Sequence, residues 1–243
     1  MEHNEIRDWA TAQYIEIDSH TEQLLLKYAY LIYSTNKRYN LTGLKSLHDI
    51  ILNLIIGSIE PFMVINVPRG TVFADIGTGA GIPGIPLAIY YNAWKGVLID
   101  SNNKKISFVN SVIREFKQDN LESHCGRIED LARGHMREMY DIVLSRALGE
   151  MYFAMEAGAP FLKQGGLLYI YSKLRPEDIS QPLIEHGRRL GLTLMDLVKY
   201  ANYGIKETGI LFIKTNSTDG KYPRNMAVIK REIKKYLFNT GKT

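Results

Sequence analysis

Apolar positions along the chain follow two spacings, one typical of helices and one typical of buried strands. They recur three and four residues apart over residues 20–35 and 101–117, which predicts an amphipathic helix in each stretch. A further helix is predicted over residues 47–59, ended by Pro61. Short apolar runs predict seven strands, over residues 72–76, 96–100, 121–126, 140–147, 167–171, 192–200 and 209–214.

The order of these elements predicts an α/β fold. A helix is predicted after the first, second, fourth and fifth strands, the last two over residues 149–162 and 176–190. Strands separated by helices run parallel, so we expect a mostly parallel sheet with helices on both faces. The last two strands have no helix between them, which predicts an antiparallel edge. We expect one compact unit, with a helical segment over residues 1–66, the sheet domain over 67–216 and a basic tail over 217–243.

The turn after the first strand has the composition of a ligand-binding loop. Residues 75–84 read D-I-G-T-G-A-G-I-P-G. Gly77, Gly79 and Gly81 can adopt the positive φ angles of a sharp turn, and without a Cβ they let a ligand lie against the backbone. Pro83 suits the start of a helix, where its missing N–H would have no intrahelical partner. The pattern predicts a nucleotide-like ligand beside exposed helix N–H groups.

The glycine spacing and the acidic residues distinguish between two classes of nucleotide-like ligand. The dinucleotide loop is G-x-G-x-x-G, whereas here it is G-x-G-x-G with Asp75 two residues ahead, which resembles the S-adenosylmethionine (SAM) loop of class I methyltransferases. A carboxylate at Asp75 can reach the SAM ammonium but would repel a pyrophosphate. Asp100 ends the second strand, where it can accept hydrogen bonds from ribose hydroxyls, or else cap a helix that starts at Ser101. We predict SAM binding and no NAD binding.

The amino-acid composition and the charge distribution limit the other kinds of site and the cellular location that can be expected. The single cysteine, Cys125, excludes a disulfide framework, and the scattered histidines show no metal-ligand spacing, so no metal site is predicted. The N-terminus lacks the features of a signal peptide, and polar residues interrupt the apolar stretch 50–67, so we expect a cytoplasmic protein without a membrane span. Residues 1–22 hold six acids against Arg7, net −5, and residues 221–243 hold seven bases against Glu232, net +6. The basic end predicts either a polyanionic partner or a solvated tail.

Six short motifs carry a more specific resemblance. They are Y-N-L-T-G (39–43), D-I-G-T-G-A-G-I-P-G-I-P-L-A-I (75–89), D-S-x-x-K-K (100–105), R-I-E-D (127–130), S-R-A (145–147) and K-Y-P-R (221–224). In these motifs and their order the chain resembles the bacterial small-subunit (16S) ribosomal RNA guanine-N7 methyltransferase family, formerly called glucose-inhibited division protein B. The resemblance implies a class I, Rossmann-like fold, SAM as methyl donor with S-adenosylhomocysteine as product, and 16S rRNA or the small ribosomal subunit as partner. We also expect a monomer.

The resemblance also implies roles for particular residues. SAM contacts fall on Gly77, Ile82, Ile128, Glu129 and Arg146, in addition to Asp75, Gly79, Gly81 and Asp100. Glu129 would face the adenine amino group. Arg146 would bind the SAM carboxylate, a phosphate or a guanine edge, with a structural ion pair as the alternative. Tyr39 and Asn40 would lie near the methyl donor. Lys221 and Arg224 would contact RNA phosphates, with Tyr222 stacked on a base.

Two departures from the family pattern keep other functions open. Family members carry an R-H-x-x-D-S-like segment where this chain has N-L-I-I-G-S (53–58), and a K-G pair where it has Lys173-Leu174. Guanine N7 carries a lone pair and no proton, so its methylation needs alignment rather than a general base. From the resemblance, the leading hypothesis is an rRNA guanine-N7 methyltransferase. The alternatives are a SAM-dependent enzyme acting on a small molecule and a catalytically silent SAM-binding protein associated with RNA.

Overall fold

The computed structural model describes residues 4–172, 174–202, 205–225, 227–229 and 231–232. Its centre is a seven-stranded sheet with the strand order β3-β2-β1-β4-β5-β7-β6. Strands β1 to β5 pair in parallel, whereas β7 is antiparallel to both β5 and β6, so the mostly parallel sheet with an antiparallel edge is confirmed. The strands are β1 (Val72–Ile76), β2 (Lys95–Asp100), β3 (Leu121–Cys125), β4 (Tyr140–Arg146), β5 (Leu162–Ser172), β6 (Leu192–Asn202) and β7 (Ile205–Lys214).

Helices cover both faces of this sheet. They are α1 (Glu5–Ala12), α2 (Ser19–Asn36), α3 (Leu47–Asp49), α4 (Gly57–Ile59), α5 (Pro61–Val64), α6 (Gly84–Tyr90), α7 (Asn103–Phe116), α8 (Ile128–Arg133), α9 (Met151–Gly158) and α10 (Gln181–Arg189). A π-helical segment, Ile50–Ile56, joins α3 to α4, and short 3₁₀ turns lie at Ala159–Phe161 and Pro176–Asp178. Helices α8, α9 and α10 contribute to the apolar cluster on one face, and the N-terminal helices with α6 and α7 to the cluster on the other.

The N-terminal helices share their core with the sheet. Ile6, Leu25 and Ile55 belong to the same buried cluster as Phe73 of β1 and Leu98 of β2. The Nε1–H of Trp9 donates to Glu60 Oε1 at 3.0 Å inside this layer. The apolar core therefore crosses residue 66, where the sequence placed a domain boundary, and the boundary itself stays a prediction.

The helical run around Pro61 differs from its prediction. Pro61 does not end it but begins α5, a position where its missing N–H costs no intrahelical bond. The stretch Leu47–Val64 is long and apolar enough to cross a membrane by length and composition alone, and 61% of it is buried inside the protein. Part of its apolar surface belongs to the core, because Ile50, Ile51, Ile55 and Ile56 are fully buried.

Several helices and strands begin or end at residues other than those predicted. Helix α7 begins at Asn103 rather than Ser101, because Asn102 is the cap: its Oδ1 accepts from the backbone N–H of Lys104 at 3.0 Å. Strand β5 begins at Leu162, where it already pairs with Tyr140 ahead of a register shift. The helix predicted over 176–190 is a 3₁₀ turn followed by α10, and α1 and α8 had not been predicted.

Candidate functional site

The loop between β1 and α6 has the predicted geometry. Gly77, Gly79 and Gly81 have φ angles of +72°, +60° and +91°. The N–H groups of Gly77 and Thr78 both donate to the carbonyl of Ile99 on β2, at 2.8 and 2.9 Å. The predicted order of strand, turn and helix is thus confirmed. The turn is hydrogen-bonded to β2, the strand beside β1.

Asp75 is the buried anchor of this loop. Its Oδ2 accepts hydrogen bonds from Thr78 Oγ1 at 2.6 Å and from the N–H of Gly84 at 2.9 Å. Its Oδ1 is also buried but has no hydrogen-bond partner among the described residues. Burial raises the pKa of this carboxyl to about 7, against the opposing effect of the two hydrogen bonds. An unpartnered oxygen of this kind suits a cationic ligand group.

Asp100 fixes the tip of the same loop. Its Oδ2 accepts from the N–H of Gly79 at 3.0 Å, and its Oδ1 accepts from the N–H of Asn102 at 2.9 Å. Lys105 Nζ lies 3.8 Å from Oδ2. Because Asn102 caps α7, the alternative reading of Asp100 as a helix cap was wrong. A ribose contact for Asp100 stays a prediction.

Three further predicted cofactor residues lie at the same edge of the sheet. Ile82 is buried in the loop after β1, and Ile128 is buried at the start of α8, which follows β3. Glu129, half-buried, lies in the first turn of α8. The carboxyl ends of β1, β2 and β3 bring these segments to one edge, where parallel sheets hold their ligands.

Arg146 ends β4 and reaches back to the N-terminal segment. Its Nη2 donates to the carbonyl of Asn53 at 2.6 Å, and its Nη1 donates to Ser58 Oγ at 3.2 Å. The guanidinium carbon lies 5.0 Å from the ring centroid of Tyr171, whose hydroxyl donates to the carbonyl of Ser58 at 2.7 Å. In the part of the chain that the structure describes Arg146 forms no ion pair, so the ion-pair reading was wrong.

Arg146 opens onto a cavity of about 430 Å³, here called the Arg146 cavity. Its wall includes Thr42, Gly43, Asn53, Tyr171 and Tyr200. Asn40 lines a neighbouring cavity instead, and the side chain of Tyr39 is 57% exposed outside both. Their predicted position near the methyl donor stays a prediction.

Comparisons with known proteins agree with this geometry. The sequence profile of the family described as rRNA small subunit methyltransferase G matches residues 21–182. Ribosomal RNA small subunit methyltransferase G of Clostridium botulinum (strain Loch Maree / Type A3) is 32% identical over 210 residues, 85% of this chain and 88% of that protein. The protein of the same name from Desulfitobacterium hafniense (strain Y51) is 33% identical over 232 residues, 92% of this chain and 94% of that protein. The chain belongs to the rRNA small subunit methyltransferase G family.

Solved structures agree on the fold. A SAM-dependent methyltransferase from Aquifex aeolicus superimposes with a TM-score of 0.52 at 14% identity, covering 69% of this chain and 93% of that one. A chain of the complex between the Haloferax volcanii Trm112 methyltransferase activator and a methyltransferase superimposes with a TM-score of 0.54 at 15% identity. The match covers 76% of this chain and 98% of that one. The class I methyltransferase fold is confirmed.

SAM is the cofactor of this family, and the loop residues fit it. The buried, unpartnered Oδ1 of Asp75 suits the ammonium of its methionine part. At Gly79 only Lys105 Nζ and the carbonyl of Gly77 lie within 4 Å of an added Cβ, each at 3.9 Å, so the backbone there is open to a ligand. The individual contacts of the cofactor stay predictions.

The predicted RNA contacts near the C-terminus need correction. Tyr222 is only 6% exposed, so its ring is not available to stack on a base. Arg224 donates from Nε to Glu156 Oε1 at 2.8 Å and from Nη1 to Glu232 Oε1 at 2.7 Å, which raises its pKa further above its ordinary value. The bond between Arg224 and Glu156 attaches the segment after β7 to α9. Lys221, 62% exposed and 3.2 Å from Asp219 Oδ2, remains a predicted phosphate contact, whereas residues 233–243 lie outside the described residues.

Sequence reasoning missed the residues that hold these groups in place. Glu156 is a fully buried acid within the apolar helix α9, and an acid in such a helix was the available signal. Tyr28 of α2 donates its hydroxyl to the carbonyl of Ala80 in the glycine loop at 2.5 Å. Nothing in the local sequence distinguishes Tyr28 from its neighbouring tyrosines, because its partner lies 52 residues away.

We expect Asp75→Asn to weaken SAM binding by about 1.5–3 kcal/mol at pH 8, the typical contribution of a hydrogen bond to a charged group. In the wild type, SAM affinity should fall as the pH drops below about 7, because a protonated Asp75 no longer attracts the ammonium. The contribution of Asp75 to the free energy of unfolding without SAM should fall as the pH rises from about 4 to about 7, since the carboxyl ionises near 3.8 when unfolded and near 7 when folded.

Calorimetry across pH would measure both effects. The difference between the wild type and Asp75→Asn gives the contribution of Asp75, because His186 and Glu232 have shifted pKa values of their own. The matched control is Asp119→Asn, which makes the same charge change at an exposed position. A wild-type SAM affinity that is flat between pH 6 and 8 would contradict the assignment of Asp75.

We expect Glu156→Gln to lower the free energy of unfolding by about 3–5 kcal/mol, because it leaves the Arg224 guanidinium without its buried partner. Glu232→Gln, at a carboxylate that is 45% exposed, should cost at most about 1 kcal/mol. Urea unfolding would measure both. Equal stability of the two variants would show that the Glu156–Arg224 pair does not hold the segment.

Proposed function

We propose that this protein transfers a methyl group from SAM to N7 of a guanine in the 16S rRNA of the small ribosomal subunit. The observation that carries the proposal is the adjacency of two features at one edge of the sheet. The Asp75 loop follows β1, the Arg146 cavity adjoins β4, and in the register between these strands Ile76 pairs with Ser145. A cofactor on the loop and a base in the cavity would therefore be neighbours.

The chemistry proposed for the site is mainly alignment. SAM supplies a methyl group already activated by the sulfonium leaving group. The Asp75 carboxylate would bind the ammonium, and the open backbone at Gly79 would let the cofactor lie close. Since N7 has no proton to remove, the residues have only to hold the nucleophile and the methyl carbon in line, an effect worth up to about 7–11 kcal/mol.

Arg146 has spare donors for the target base. A guanidinium offers five N–H groups, and the bonds to Asn53 and Ser58 use only two of them. Arginine commonly binds guanine through O6 and N7 together. Here N7 must stay free to react, so we assign Arg146 a hydrogen bond to O6 alone. The ring of Tyr171 beneath the guanidinium fixes its plane.

The remaining aspects of the proposal concern the working state of the enzyme. We propose that it acts as a monomer in the cytoplasm and that its substrate is the rRNA of the small subunit, either free or assembled. The exposed Lys221 would contribute one phosphate contact from the side of the C-terminal segment.

The proposal predicts the loss of a single modified base. In cells without this gene, one 7-methylguanosine should disappear from 16S rRNA, and the wild-type gene should restore it. Chemical cleavage at 7-methylguanosine, read by primer extension, would locate the position. Purified protein with radiolabelled SAM should methylate 16S rRNA from those cells. An unchanged modification pattern would contradict the rRNA substrate, and labelling of a small molecule instead would favour the alternative enzyme class.

We expect Arg146→Ala to lower kcat by about 10²–10³, the typical effect of removing one aligned donor. It should also lower the free energy of unfolding by about 1–3 kcal/mol, because Asn53 and Ser58 lose their partner. Single-turnover methylation kinetics and urea unfolding would measure the two effects.

Tyr171→Phe separates catalysis from stability. It keeps the ring beneath Arg146 and removes only the hydroxyl bond to Ser58. We expect a stability loss of about 1 kcal/mol with turnover nearly unchanged. If both variants lost turnover in proportion to stability, Arg146 would be a structural residue only.

A further inference from the structure

The Arg146 cavity borders a second, larger cavity. This one has a volume of about 700 Å³ and is lined by Tyr33, Asn36, Lys37, Asn40 and Lys45, among others; we call it the Lys37 cavity. Thr42 and Gly43 line both cavities. These two residues therefore lie between the cavity that holds Arg146 and the one that holds Lys37 and Lys45.

The wall between the two cavities is held in a fixed shape by one side chain. Asn36 Oδ1 accepts from the N–H groups of Leu41 and Thr42 at 2.9 and 3.0 Å. Its Nδ2 donates to the carbonyl of Leu44 at 2.8 Å. The loop over residues 37–45 is thus organised before any ligand arrives, which reduces the entropy cost of binding.

The charge around the Lys37 cavity has one sign. Residues 23–48 contain four lysines and arginines and no aspartate or glutamate. Lys37, Arg38 and Lys45 are exposed, and within the described residues none of the three forms an ion pair. A polyanion would meet three cations here and no nearby acid from the same stretch.

Aromatic rings accompany these cations. Lys37 Nζ lies 4.3 Å from the ring centroid of Tyr33, and the side chain of Tyr39 is 57% exposed next to Arg38. Cations next to aromatic rings are typical of surfaces that bind single-stranded nucleic acid, where phosphates meet the charges and bases stack on exposed rings such as Tyr39.

We propose that the Lys37 cavity binds the single-stranded nucleotides adjacent to the target base. This rests on the proposed function, because it takes the base in the Arg146 cavity to be part of an RNA chain. A base can enter such a cavity only after it leaves its stack, so its neighbours along the strand are drawn onto the surrounding protein surface. Lys37 and Lys45 contact their phosphates, and Tyr33 or Tyr39 contacts a base.

The test is the double variant Lys37→Ala/Lys45→Ala. Two lost contacts to single-stranded phosphates should flatten the log–log salt dependence of RNA binding by about 1.4 and raise the dissociation constant about 25-fold at 0.1 M salt. The KM for RNA should rise while kcat and the affinity for SAM stay as in the wild type. The probe is 16S rRNA isolated from cells that lack the gene.

The matched control is Arg69→Ala/Lys95→Ala. It removes the same charge from two exposed positions at the amino edge of the sheet, beside the starts of β1 and β2. We expect wild-type salt dependence for this variant. The proposal is overturned if the two double variants behave alike, or if Lys37→Ala/Lys45→Ala leaves the salt dependence unchanged. In either case, methylation of rRNA by the wild type would still support the proposed function. A wild type that neither binds nor methylates rRNA overturns both.

A competition experiment tests the single-stranded requirement. A 12-nucleotide RNA with the sequence around the target guanine should compete with rRNA at least tenfold better than the same RNA annealed to its complement. The advantage should disappear in Lys37→Ala/Lys45→Ala. Equal competition by strand and duplex would show that the cavity does not select unpaired nucleotides.

Discussion

The buried carboxylate of Asp75 is the constraint on which the site depends. One of its oxygens binds both the turn, through Thr78, and the start of α6, through Gly84. Gly84 has to be glycine, because an added Cβ would lie 2.9 Å from that oxygen and 2.2 Å from a methyl group of Leu98. The protein thus buries an ionisable group to shape the loop, and it leaves the second oxygen for a ligand.

The N-terminal segment forms the other half of the site. Tyr28 bonds the glycine loop, Arg146 bonds Asn53 and Ser58, and Tyr171 bonds Ser58. These bonds cross from helices that precede the sheet to loops and strands that hold the ligands. The cofactor side and the substrate side of the site are therefore packed together, so substitutions in the N-terminal helices affect the edge of the sheet that holds the ligands.

The sequence was informative where local chemistry decides structure. Strand β1, the three positive φ angles and the antiparallel edge follow from apolar runs, glycines and the missing helix between β6 and β7. It failed where a distant partner decides. Arg224 resembled a phosphate contact because Glu156 lies 68 residues away, and Tyr28 was missed because its partner, the carbonyl of Ala80, lies 52 residues away. The local sequence could place residues at the site, but it could not show which charged side chains form ion pairs within the protein.

The bond between Arg146 and residue 53 bears on how this chain departs from its family. Its acceptor is a backbone carbonyl in the π-helical segment, and every residue type supplies that carbonyl. Side chains at 53–57 can therefore change without releasing the arginine, whereas position 58 contributes a hydroxyl that a carbon side chain could not replace. In the pattern that the resemblance implies for the segment N-L-I-I-G-S, only the serine is kept. That serine is the one side chain of the segment that bonds Arg146, so substitutions at residues 53–57 leave the arginine in place.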